Sequence, residues 1–274
     1  MRPAPRLPTS KPWPAGAKPR CGWLAGLSLL LLAPAAGAQC PAPQALEWTV
    51  AEEADVPPSL YIQGFEIGPQ GQWWLSGGGY GDSRLIQWQQ GEVLKEWQPG
   101  PSFFAEGLSR RQDRIWMLSW RAGTAWELSA DKLELQAIHH YSGQGWGLAW
   151  SEKRQAFLMS NGSDRLQWRS AEDFSALDSL PVRRMDQPQP RLNELEVDGD
   201  QVWANIWYSD SIVRIDLDSG CVTAELDLRS LWREQPRPRR AEVLNGIALD
   251  PATGLLWVSG KRWGKAFGLR LGAD

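Results

Sequence analysis

The sequence predicts an all-β chain folded as a five-bladed β-propeller in a single domain, and three observations predict it. Five segments repeat a common pattern, spaced 43, 40, 47 and 52 residues apart when Gly64, Gly107, Gly147, Glu194 and Gly246 are taken as equivalent. Each repeat carries three short apolar or alternating runs divided by turns rich in Gly, Asp, Pro or charge, with no helical periodicity. The chain also holds 18 tryptophans against 4 tyrosines and 6 phenylalanines, and most must be structural because large rings fill the space between sheets. A solenoid has a shorter period and a sandwich does not repeat in this way, so the repeats read as blades.

Residues 1–38 stand apart from the fold. Arg2, Arg6, Lys11, Lys18 and Arg20 make a basic start without an acid, and the apolar run 23–38 ends in Ala36, Gly37 and Ala38. This is the pattern of a secretory signal peptide cut before Gln39, and the run is too short to span a bilayer. Acylation of Cys40 is disfavoured by the bulk of Gln39. The mature chain, 39–274, is therefore expected in the periplasm or outside the cell, free of the membrane. Removal of five cations takes the formal charge from −3 to −8. An acidic chain without a basic stripe argues against a nucleic-acid partner. Cys40 and Cys221 remain, either as one disulfide or as two free thiols.

"ALEWTV", residues 45–50, precedes the first repeat. The last repeat has room for only three strands, so this run is expected to supply its outer strand and close the ring. The repeats follow: "IQGFEIGPQGQWWLSGG", "AEGLSRRQDRIWMLSW", "GWGLAWSEKRQAFLMSNG", "LNELEVDGDQVWANIW" and "LNGIALDPATGLLWVSGK". Their third strands are "RLIQW", "TAWELS", "RLQWRS", "IVRIDL" and "AFGLRL". "SGGGYGDS", 76–83, lacks the lysine and following helix of a phosphate loop and reads as a wide turn with close backbone approach. "REQPRPRR", 233–240, reads as a solvated connector between the fourth and fifth blades.

In a propeller the first strand of each blade borders the central channel. The residue before each recurring position, Gln63, Glu106, Trp146, Asn193 or Asn245, then belongs to a ring at one channel mouth. The second-strand ends add Trp120, Trp207 and Lys261. Glu106 is the one acid of that ring, and a carboxylate in apolar surroundings is costly unless paired or protonated. It is either a structural acid satisfied by Lys261 or by backbone amides, or an acid with a chemical task. One acid among indoles and amides is also the composition of a small polar-ligand pocket. His139 and His140 are adjacent on a peripheral strand and face opposite ways, which removes a His-based zinc site and a Ser-His-Asp triad. No cofactor is expected, and an Asp/Asn-lined calcium site on the channel stays open.

"YIQGF", "FFAEGL", "LSWRAGTA", "GQGWGL", "PRLNELE", "VWANIW", "VLNGIALDP" and "GKRW" resemble, in order and over about residues 60–265, the plant and bacterial glutaminyl-peptide cyclotransferases. The resemblance implies a five-bladed propeller, in agreement with the repeat count. It implies a reaction in which the α-amine of an N-terminal glutamine attacks its own side-chain amide, releasing ammonia and leaving 5-oxoproline. Peptides and proteins with N-terminal Gln are the implied partners, and a monomer is expected. The matching positions are Gln63, Phe104, Glu106, Trp120, Trp146, Asn193, Trp207 and Lys261. Glu106 and Lys261 are expected to be catalytic, with the others and Asn245 holding substrate. Tyr61 departs from the family's usual phenylalanine and Phe65 from its leucine. Two other readings stand beside this one: a non-catalytic secreted propeller that binds peptides or glycans through exposed tryptophans, and a calcium-dependent propeller hydrolase.

Overall fold

Strands dominate because the repeats alternate short β-prone runs with turns, and the computed structural model describes them over residues 39–233 and 235–272. The signal-peptide reading of 1–38 falls outside the described residues, as does Glu234 within the basic connector. Five sheets, antiparallel apart from one short edge strand, each hold one repeat. Their inner strands are Ile62–Ile67, Ala105–Arg111, Leu148–Ser151, Leu192–Asp198 and Leu244–Leu249, and these neighbour one another in cyclic order around a channel. Burial grades outward. Ala105–Arg111 starts with five buried residues because blades cover both its faces, whereas the outer strand Glu92–Trp97 is mostly exposed.

The ring closes as expected, with different bounds. Gln44–Ala45 pairs in parallel with the fourth blade's outer strand Val222–Asp227, and Trp48–Asp55 pairs antiparallel with Lys265–Leu271 of the fifth blade. Cys40 and Cys221 form a disulfide, so the N-terminal segment latches onto the fourth blade before completing the fifth. Tryptophan wedges between the blades explain the composition: Trp116, Trp203 and Trp257, one from the second strand of three repeats, are all buried. His139 stacks on Trp116 at 4.5 Å and meets Glu127 at 3.2 Å, while His140 faces the other side of its outer strand.

The recurring glycine marks where inner strands touch backbone to backbone. A Cβ on Gly107 would lie 2.5 Å from the Trp146 carbonyl oxygen, and one on Gly147 2.1 Å from that of Asn193. The Gly107 N–H donates to the Trp146 carbonyl at 2.6 Å. These contacts set each ring residue against the next blade.

In the fourth blade glutamate replaces that glycine. Glu194 accepts from the Phe65 N–H at 3.2 Å and the Ile247 N–H at 3.0 Å, bridging the first and fifth blades. Glu66 accepts from the Arg110 N–H at 3.0 Å and Glu196 from the Leu249 N–H at 3.1 Å. Burial raises Glu66 to about 7, against the pull of the Arg110 N–H and guanidinium. Burial, reinforced by neighbouring carboxylates, raises Glu194 and Glu196 well above the ordinary range. The native state therefore binds more protons than the unfolded chain between the ordinary carboxyl pKa and the raised ones. The sign follows: stability falls as pH rises through that window. Denaturant unfolding is expected to give a higher free energy at pH 5 than at pH 8; a rise instead would show that these carboxyls are not protonated in the fold.

Candidate active site

One end of the channel opens into a cavity of about 220 Å3. The strand order dictates its contents. Ring residues Gln63, Glu106 and Asn193 come from three inner strands and Trp146 lies two residues before a fourth, while Trp120, Trp207 and Lys261 follow three second strands. Phe104 completes the group, and it fits because Gly78 has no side chain: a Cβ there would sit 2.2 Å from the Phe104 ring. "SGGGYGDS" is thus a wide turn whose close approach shapes the pocket wall.

Eight of the nine sequence-derived positions line this cavity. Asn245 does not. It is fully buried beneath the wall, accepting from Asn193 Nδ2 at 2.6 Å and donating to the carbonyls of Ile62 and Gln63 at 3.1 and 3.0 Å. It also donates to Gln63 Oε1 at 3.4 Å, which turns the Gln63 amide nitrogen toward Glu106 Oε1 at 3.2 Å. The result is a fixed chain of amides ending on the carboxyl.

Glu106 is 5% exposed and, among the described residues, accepts no backbone amide, unlike Glu194. Holding the blades together therefore falls to Glu194, not to Glu106. Burial raises the Glu106 carboxyl to about 8, with the Lys261 ammonium pulling the other way. Lys261 is itself buried, and desolvation lowers its pKa against the opposing pull of Glu106 and Glu242. The two are electrostatic neighbours without a direct ion pair among the described residues. Lys261 instead places Nζ 4.8 Å from the centre of the Tyr61 ring.

Two aromatic walls line the cavity. Phe104 packs edge-on to Trp120 at 5.5 Å and Tyr61 at 6.3 Å. Trp146 packs on Trp207 at 5.2 Å, and Trp207 on Tyr208 at 4.4 Å. Gln144 Oε1 ties the walls together by accepting from both the Trp120 and Trp146 indoles, at 2.8 and 3.0 Å. Sequence reasoning missed Gln144, Tyr208, Glu242 and Val243. Tyr208 follows Trp207 directly and was within reach of the pattern; Glu242 leaves the irregular connector and carried no signal. The hydroxyl that separates Tyr61 from phenylalanine donates to Glu242 Oε2 at 3.1 Å, and burial raises it to about 12, so it stays a donor. Glu242 also pairs with Arg262 at 2.9 Å.

An enclosed carboxyl with a raised pKa, a buried ammonium and amides between indole walls define a propeller enzyme suited to proton transfer on a small polar group. The comparisons agree. The family model described as glutamine cyclotransferase matches residues 24–271. A glutaminyl-peptide cyclotransferase of Arabidopsis thaliana is 31% identical over 219 residues, covering 78% of this chain and 68% of that protein. The crystal structure of Myxococcus xanthus glutaminyl cyclase superposes with a TM-score of 0.76 at 28% identity, covering 85% of this chain and all of that one. The chain belongs to the glutamine cyclotransferase family.

Proposed function

We propose that this protein converts the N-terminal glutamine of peptides and proteins to 5-oxoproline with release of ammonia, and that Glu106 carries the proton between the two nitrogens. The observation that carries the proposal is the Glu106 carboxyl, enclosed, raised to about 8 and, among the described residues, bonded only by the Gln63 amide. Its pKa lies close to the 7.7–8.0 of a peptide α-amine, so proton transfer between them is nearly isoenergetic. The α-ammonium gives one proton to the Glu106 carboxylate, and the lone pair so freed attacks the side-chain carbonyl carbon. Glu106 then delivers that proton to the departing nitrogen, which leaves as ammonia rather than as an amide ion, and takes up the surplus proton left on the ring nitrogen. Lys261 lies where an ammonium can offset charge developing on the carbonyl oxygen. The indole walls fold the side chain toward its own amine and exclude water.

Two further parts of the reading concern context. A disulfide between Cys40 and Cys221 suits an oxidising compartment and supports export of a chain cleaved before Gln39. The enzyme is taken to act as a monomer. The tryptophans that a peptide- or glycan-binding surface would expose are absent from the exposed large apolar side chains among the described residues, which favours catalysis over surface binding. Purified protein is expected to release ammonia stoichiometrically with 5-oxoproline from a Gln-initiated dipeptide; an intact dipeptide after prolonged incubation would overturn the assignment. Turnover is expected to survive excess EDTA, because no step in this scheme needs a metal. Activity lost to chelator and restored by zinc or calcium would contradict the scheme.

A further inference from the structure

The third blade carries a second cleft, of about 660 Å3, that the proposed reaction does not use. Its origin is legible in one strand. In Arg165–Ser170, Leu166 and Trp168 point into the core, so Arg165, Gln167 and Arg169 share the opposite face. Two cations on one face of a strand need partners. Arg169 is only 5% exposed, yet among the described residues no carboxylate is in ion-pair contact with it. Nη2 donates to Gln167 Oε1 at 2.5 Å and, among the described residues, Nε has no hydrogen-bond acceptor. The guanidinium lies 5.8 Å from the ring centres of Tyr141 and Phe174. Burial pushes it below the usual arginine range. Cation–π contact offsets part of the desolvation cost, and an uncompensated buried charge still penalises the fold.

The rest of the cleft is polar. Arg165 at its open end donates to Ser179 Oγ at 2.7 Å, and Ser163 Oγ donates to Asn161 Oδ1 at 2.6 Å. The one acid on the rim, Asp178, is exposed and already accepts from the Ser179 N–H at 2.7 Å. The loop 161–163 separates this cleft from the catalytic cavity, since the Trp146 ring packs against Gly162.

We propose that this cleft is an oxyanion-binding site, in which Arg169 at the base and Arg165 at the mouth hold a phosphate, sulfate or carboxylate group of a small polar ligand. The planar guanidinium suits all three, and an anion supplies the counter-charge that the protein itself withholds from Arg169.

Calorimetric titration of the whole protein with inorganic phosphate, sulfate and succinate, at ionic strength fixed with sodium chloride, tests this. Saturable binding at one site per chain is expected. It should weaken at least ~tenfold in Arg165→Gln, the loss of one charge-assisted contact, and vanish in Arg169→Met. Ammonia release without added anion should be unchanged in both variants. Lys261→Met should still bind, which separates the cleft from the catalytic cavity. A preference for phosphate and sulfate over succinate identifies a tetrahedral oxyanion, and the reverse a carboxylate. The proposal fails if no anion binds above the chloride background. It also fails if binding survives Arg165→Gln undiminished, a surface variant that does not depend on the buried arginine's role in folding.

Discussion

Glu106→Gln is expected to lower ammonia release from a Gln-initiated peptide by at least ~10²-fold, the lower end for loss of general acid–base catalysis. The substitution keeps shape and the contact to Gln63, whose amide nitrogen can donate to the side-chain carbonyl oxygen of the new glutamine. It removes the group that the scheme uses to accept and return a proton. Stability should change little, because Glu106 caps no backbone amide and is held largely neutral by burial. Turnover and thermal midpoint measured on one preparation separate the outcomes. A variant that unfolds more readily yet releases ammonia at the normal rate would make Glu106 a packing residue.

Glu194→Leu is expected to do the opposite. It leaves the Phe65 and Ile247 N–H groups without their acceptor inside the channel. Each orphaned buried donor costs about 1–3 kcal/mol, so the sum is roughly 2–6 kcal/mol, a large share of a domain's stability. Turnover per folded molecule should stay near normal, since Glu194 does not line the catalytic cavity. Urea unfolding, followed by turnover corrected for the folded fraction, measures both. An unchanged unfolding midpoint would show that the three inner strands do not depend on this bridge.

The contrast between these two glutamates shows what the sequence made legible. Blade number, ring closure and the shared address of Gln63, Glu106, Trp146 and Asn193 came from a repeat, because residues at one repeat position occupy one place in the ring. Repeat logic also hid something. Glu194 occupied a glycine slot and was read only as an equivalence point, whereas a carboxyl there reaches the fifth blade and, across the channel, the first. Asn245 obeyed the ring pattern yet sits below the wall, because its amide is drawn to the Ile62 and Gln63 carbonyls of the adjoining first blade. Gln144 and Glu242 lie in connections outside the repeat, where only the folded chain brings them to the cavity. The choice between one disulfide and two thiols depended on how the N-terminal segment crosses two blades, which pairing with Val222–Asp227 decides.

The central claim is that one proton is shared between the Glu106 carboxyl and the substrate amine in the reacting complex. The pH dependence of kcat/KM tests it most directly. With both groups titrating near 8, the singly protonated pair is most populated near that pH, and wild-type kcat/KM should rise to a maximum there and fall on either side. In Glu106→Gln only the substrate amine remains to titrate, so the residual rate should climb through the same region and stay level. The account predicts an alkaline fall present in the wild type and absent in the variant; the same plateau in both proteins, or the same fall in both, would contradict it.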